Sequence, residues 1–363
     1  MKSKITAPEA VCAQFEEWRA PRRGKSNPEN QTNDVWRWLV DNPVWPLRAH
    51  QAVGAPQKNY PTWCFSRYGQ SETCLPNGSV VYIGGEHEDS YDPDFYIYND
   101  VVVVRPDTSV EIFGYPTDVF PPTDFHSATL VDQSIYIIGG LRYPEDRDYR
   151  NTLVYRLDLT DFSIRLTPTQ GNPPCWLYKH KAMFDPDAGK IICTEGVSTH
   201  QQTQMDVENL TTWEFALQTR SCVEKDTKPY RRWLLVRNDG SCNTLWQISV
   251  IAKASRSLRQ SSLAEKYLRN FEERGHTVDP ELYFSRFRPP IPHVKIDRNA
   301  DQHTVRSHRI LVDGVVVRYV ENCWQIVVTV EGDLSSEKLE LLKRHGLDTY
   351  SRLEGARYKC LIL

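Results

Sequence analysis

One passage occurs twice in this chain, and it restricts the possible folds more than any other feature. Val80-Val81-Tyr82-Ile83-Gly84-Gly85 and Ile135-Tyr136-Ile137-Ile138-Gly139-Gly140 are each an apolar run closed by paired glycines, and the pairs lie 55 residues apart. Each is preceded by a short strand pattern and a polar turn: Gln70-Ser71-Glu72-Thr73-Cys74 with Pro76-Asn77-Gly78, and His126-Ser127-Ala128-Thr129-Leu130 with Asp132-Gln133. A period of that size denotes stacked supersecondary units. The apolar runs are short and dense, the pattern of strands buried on both faces.

Both copies continue alike. A long loop follows the glycines (Glu86 to Asn99; Leu141 to Asn151). A third strand comes next (Val101–Val104; Leu153–Leu157), then a turn and a fourth strand (Val110–Phe113; Phe162–Leu166). A weaker third copy starts at His180-Lys181-Ala182-Met183-Phe184, turns at Asp185 to Gly189, and runs Ile191-Ile192-Cys193-Thr194-Glu195-Gly196, with Glu195 where the first glycine belongs. Glycine is expected there because a positive φ or close backbone packing excludes a Cβ. His126 and His180 hold equivalent places, and their repetition predicts a structural hydrogen bond between neighbouring units.

Four strands per unit, Gly-Gly ending the second strand and an aromatic in the fourth resemble the kelch repeat, over about residues 60–219. The resemblance implies blades of a β-propeller serving as a protein-interaction scaffold. The expected fold class is therefore mainly β: a small or irregular kelch-like β-propeller, with an N-terminal helical cap and a helix-containing C-terminal part. The expected divisions are 1–59 (cap and loop), 60–252 (propeller blades) and 253–363 (an α+β region that either completes the ring or stands as an appendage). Three blades cannot close a ring, so Arg232–Val236 and Leu245–Val250, turning at Asp239-Gly240, are read as candidate strands of a further blade.

Helices are expected at both ends. Thr6 and Glu9 form a capping-box pattern before the stripe Val11, Phe15, Trp18. A short helix follows over Val35–Val40. Ser262 with Glu265 starts another, which stops at Gly275. One more runs from Ser336 to His345, ending at Gly346, and Arg357–Leu363 reads as a closing strand.

Composition excludes some classes. No apolar run approaches the roughly 18 residues needed to cross a bilayer, and the first residues have no apolar core of a secretory signal. The nine cysteines are scattered and read as reduced thiols of a cytoplasmic protein. Gly24-Lys25-Ser26 mimics the end of a phosphate-binding loop, but Arg19 stands where its first glycine belongs. Nucleophile-elbow, zinc-protease and dinucleotide-binding motifs are missing. The reading is non-enzymatic, with no catalytic residues, cofactor or metal. The acidic crowd Glu86, His87, Glu88, Asp89, Asp92, Asp94 lacks EF-hand spacing.

Residues 1–219 hold 19 Lys/Arg against 29 Asp/Glu, a net −10, whereas residues 220–363 hold 25 against 18, a net +7. An acidic first part can steer a basic partner. In a kelch blade the loops after the second strand share one face. Here they carry Glu86, Glu88, Asp89, Tyr91, Asp92, Asp94 and Tyr96, then Arg142, Tyr143, Asp146, Arg147, Asp148, Tyr149 and Arg150. Tyr and Arg are the types that anchor interfaces, and loops on a rigid scaffold commonly carry function. These residues are the expected partner-binding set, and the partner is another protein, in one form a toxin or enzyme that this chain occludes as an inhibitor or immunity protein. Two alternatives stand beside it. One is an enzyme acting on a small molecule in the propeller's central channel. The other is a nucleic-acid-associated protein using Arg286, Arg288, Lys295, Arg298, Arg306 and Arg309 around Phe284 and Phe287, since interleaved basic and aromatic residues hold phosphates and stack bases.

Overall fold

In a computed structural model, residues 5–56, 60–87, 95–200, 205–227, 229–257, 261–297 and 307–363 are described. The chain divides into two compact units, Met1–Thr227 and Lys228–Leu363.

The first unit holds three successive four-stranded antiparallel cores. The first sheet comprises Ser71–Cys74, Val80–Ile83, Val101–Val104 and Val110–Gly114. The second comprises Ser127–Val131, Ser134–Ile138, Val154–Asp158 and Ile164–Leu166. The third comprises Lys181–Asp185, Lys190–Thr194, Thr211–Ala216 and Ser221–Thr227. Strands in each are paired in chain order, as the repeated sequence requires.

Period-2 alternation divides each strand of the first two sheets between two apolar layers. In the first sheet Val81, Ile83, Val101, Val103 and Phe113 face the second sheet's Ile135, Ile137, Tyr155, Leu157 and Ile164. The second sheet's other side, with Val131, Ile138 and Val154, meets Ile191, Cys193, Phe215 and Cys222 of the third. The first sheet's remaining face, with Val102, Val110 and Ile112, is covered by the helices Glu9–Trp18, Asp34–Asp41 and Pro46–Val53 through Val11, Phe15, Trp36 and Leu39. Trp36 stacks on Trp63 at 4.9 Å. The first of these helices starts after Pro8 with no side-chain cap, so the Thr6 capping box does not form. Asn33 caps the second, accepting the Trp36 N–H at 2.8 Å.

The third sheet ends the stack with a charged outer face. Met183 and Val223 are 67% and 46% exposed there. Glu214 lies between Lys190 and Lys225, both at 2.7 Å, and Lys181 pairs with Glu195 at 2.8 Å. A polar outer face is how a repeat array terminates in water. The outer edges are closed too. Glu29–Asn30 pairs with Val110–Gly114 as a fifth strand, and Gln170–Gly171 runs parallel to Ser221–Thr227. The second sheet's edge meets a side chain: Asn27 Oδ1 accepts the Ile164 N–H, and its Nδ2 donates to the Ile164 carbonyl, both at 2.8 Å. Covered edges resist strand addition by other chains.

Among the described residues no further four-stranded unit closes these three sheets into a ring. The expected fourth-blade strands lie in the second unit, where one of them is a helix. Arg231–Arg237 is a strand of a six-stranded antiparallel sheet with Lys295–Asp297, Ser307–Val312, Val315–Glu321, Gln325–Glu331 and Tyr358–Ile362. Residues Leu245–Ser255 form a helix. Trp246, Ile248 and Val250 alternate as in a strand, but Leu245, Ile248, Ile251 and Ala252 follow period 3.6 and share the buried face. The Glu354 carboxylate accepts the Thr244 N–H at 2.6 Å, anchoring that helix start.

Helices Leu245–Ser255, Ser262–Glu272, Pro280–Ser285 and Ser336–Glu354 pack on one face of this sheet through Trp233, Leu235, Ile310, Val317, Tyr319 and Val328. Ser261 caps the second of them, one residue before the expected start. The last runs to Glu354, not His345, with Gly355 as its left-handed stop. Gly346 is interior because a Cβ there would lie 2.7 Å from Leu235 Cδ1. The closing strand pairs with Arg231–Arg237.

Candidate functional site

The loops that leave the second strands of the first unit spring from a shared hydrogen-bonded base. Gly85 N–H donates to the Thr123 carbonyl at 2.8 Å, and Gly140 N–H to the Leu177 carbonyl at 3.0 Å. Gly84 and Gly139 have φ of 57° and 69°, and a Cβ on either would lie 2.2 or 2.0 Å from those same two oxygens. Glycine is therefore required twice for one reason. In the third copy Glu195 takes a φ of 61° and Gly196 one of 81°. The worn repeat keeps the backbone shape with a residue that strains to adopt it.

A second row runs beneath. Gly69, Phe125 and Lys179 all have left-handed φ, at 62°, 51° and 54°. Phe125 N–H donates to the Gly69 carbonyl and Lys179 N–H to the Phe125 carbonyl, each at 2.8 Å. The next residues are the repeated histidines. His126 Nε2 meets Ser71 Oγ at 2.8 Å, and His180 Nε2 meets Ser127 Oγ at 2.8 Å. The expected bond between neighbouring units is present in both places. Burial, followed by the charges of His180 and Arg142, lowers His126 to about 3, and burial lowers His180 to about 4. Both rings are neutral structural pins.

The predicted binding residues then separate. Glu88, Asp89, Tyr91, Asp92 and Asp94 lie outside the described residues. Glu86 pairs with Ile97 in a two-residue hairpin. Tyr96 is half-buried beneath the Arg23 guanidinium at 4.3 Å, and burial pushes its phenol up to about 12. Arg142 is only 3% exposed, with its guanidinium 5.3 Å from both the Tyr155 and Trp176 rings. Its backbone N–H donates to Asp124 Oδ1 at 2.7 Å. Burial raises the Asp124 carboxyl and lowers the Arg142 guanidinium. Tyr143 OH accepts the Ile97 N–H at 2.8 Å, fastening the second loop to the first. Arg147 donates Nε to the Leu141 carbonyl at 2.8 Å and Nη2 to the Arg142 carbonyl at 2.9 Å, which closes the loop on itself.

What this frame presents outward is acidic. Glu145 and Asp146 are exposed on the short 3-10 turn Pro144–Asp146. Asp148 forms an exposed pair with Arg150 at 2.8 Å, which lowers its carboxyl, and Tyr149 is half-buried. Beside this loop, in the third copy, Val197–His200 pairs with Leu177–Tyr178 and with Met205–Glu208. Thr199 Oγ1 donates to Asp206 at 2.7 Å, and burial followed by the Asp206 charge raises Tyr178. Asp124, Tyr155 and Trp176, which hold Arg142, carry no motif that would single them out. Their only signal is position: Asp124 stands two residues before the repeated His126.

Elsewhere, the basic and aromatic residues read for nucleic acid divide: Arg286 and Phe287 are buried, and Phe284 and Arg309 are half-buried. Arg286 pairs with Glu321 at 2.8 Å and lies on the Tyr283 and Phe287 rings, while Phe287 stacks on His308 at 4.1 Å. Arg288 and Lys295 are exposed, and Arg298 and Arg306 lie outside the described residues. Between the second and third sheets there is a cavity of about 10 Å³ lined by Ile138, Val154, Leu177, Cys193, Phe215 and Cys222. It is apolar, and burial pushes the Cys193 and Cys222 thiols up to about 12 and about 11. Among the described residues no helix is long and apolar enough to cross a membrane, and no group of three or more His, Cys, Asp or Glu could hold a metal ion. No protein-family model matches this chain, and no curated protein is similar to it.

Proposed function

We propose that the first unit is a kelch-like scaffold whose loop end binds another protein with a basic surface, as a dedicated inhibitor or immunity protein would. The observation that carries this reading is the pinned acidic loop. Arg147 and Tyr143 fix the backbone from Leu141 to Arg147, and Glu145 and Asp146 stand exposed on it. A surface ordered before binding loses little conformational entropy on contact. The net −10 over residues 1–219 adds long-range attraction for a basic partner, which acts mainly on association rate.

The test is capture of the partner from the native host with the tagged chain, then measurement of binding between the purified pair. Glu145→Lys with Asp146→Lys is expected to slow association at least tenfold at low salt and to weaken its salt dependence. Unchanged association by a variant that keeps the parent circular dichroism and melting temperature would rule out this loop as the contact.

A further inference from the structure

The second unit carries two exposed thiols that the binding surface does not use. Cys242 lies in the turn before the Leu245–Ser255 helix, and Cys323 lies in the tight turn between the strands Val315–Glu321 and Gln325–Glu331. The two turns are fastened together. Asn243 N–H donates to the Cys323 carbonyl at 2.7 Å, and Asn243 Nδ2 donates to the Asn322 carbonyl at 2.5 Å. These bonds hold the turns that carry Cys242 and Cys323 side by side across the joint. A disulfide needs Cα atoms within about 7 Å, and the backbone hydrogen bond from the residue after Cys242 to the Cys323 carbonyl supplies that proximity. Neither turn is interior, so a small oxidant can reach both sulfurs.

We infer that Cys242 and Cys323 form a reversible dithiol–disulfide site, oxidised by small-molecule disulfides of the glutathione class. In the first step one cysteine, as thiolate, attacks a sulfur of the small disulfide. The small S–S bond breaks, one small thiol leaves, and a protein–small-molecule mixed disulfide remains. In the second step the other cysteine's thiolate attacks the protein sulfur of that bond and expels the second small thiol. The protein loses two S–H protons and two electrons and gains one S–S bond. The small disulfide takes up both electrons and both protons as two thiols. Oxidation ties the Leu245–Ser255 helix to the strand turn across a loop of about eighty residues, a length at which a crosslink strongly constrains the unfolded chain.

The experiment treats the full-length chain with oxidised glutathione, blocks remaining thiols with iodoacetamide and maps peptides without reduction. The expected product is a peptide pair joined through Cys242 and Cys323, reversed by dithiothreitol, with the melting transition of the oxidised chain raised by roughly 5–10 °C. Cys242→Ser and Cys323→Ser should each stop at a stable glutathione adduct on the remaining cysteine. Wild-type chain that accumulates glutathione on both cysteines without joining them, or that leaves both alkylated and unreacted, would overturn the inference.

Discussion

The second and third sheets of the first unit follow one plan and end differently. Their first hairpins share a register, Ser127 opposite Ile138 and Lys181 opposite Thr194. Each hangs from the preceding copy by a histidine on a serine and by a left-handed residue donating to its counterpart. The second sheet is apolar on both faces, and its loop leaves through Gly139-Gly140. The third is apolar on one face only, and Glu195-Gly196 holds the same place. At matching positions Thr129 is 8% exposed and Met183 is 67% exposed. The pair teaches that the copy without the Gly-Gly pair is also the copy with one uncovered face.

The strongest way to break this comparison is to place a side chain where the second sheet excludes it. Gly139→Val forces a β-branched residue to φ 69° with its Cβ 2.0 Å from the Leu177 carbonyl oxygen. The expected loss is at least ~3 kcal/mol by urea denaturation, and a loss under ~1 kcal/mol would show that the turn is not the constraint described. The histidine joints should respond to acid. An unfolded chain protonates histidine near 6.5, while the folded chain holds His126 and His180 neutral down to about 3 and about 4. Between those limits the unfolded state binds more protons, so stability falls as pH falls from about 6.5 toward 4, by up to ~1.4 kcal/mol per pH unit for each ring. His126→Gln with His180→Gln, which installs the residue type that Gln70 supplies at the corresponding place in the first copy, should flatten that slope in urea midpoints measured across this range. An unchanged slope would assign the acid response to carboxylates. The smallest effect is the most diagnostic of decay. Glu195→Gly removes left-handed strain and an exposed ion pair with Lys181, and is expected to raise stability by about 0.5–1 kcal/mol in the same urea measurement.

Much of the first unit is legible from sequence because repetition supplies its own control. Two aligned copies specify the strand order, the Gly-Gly turns and the structural role of His126 and His180. The candidate site is less legible. Arg142, Tyr143 and Arg147 are residue types that anchor interfaces, but here Arg142 packs on the Tyr155 and Trp176 rings, and Tyr143 and Arg147 fasten loops through backbone amides and carbonyls that no side-chain pattern reveals. Leu245–Val250 misleads because a six-residue apolar alternation fits either period. The decisive contact, Glu354 on Thr244 N–H, comes from more than a hundred residues away. Gly346 misleads in the same way, since a glycine that stops a helix and one that admits a neighbour look identical in sequence.

The Asn27 amide on the Ile164 edge, together with Glu29–Asn30 on the first sheet, has a bearing on how such a chain can change over generations. One segment, placed ahead of the repeats, closes the free edges of two of them at once. A duplication or deletion of a single repeat would leave that segment facing the wrong edge, exposing a strand to solvent and to other chains. The array is thereby locked at its present count unless its leading segment is rewritten in the same step.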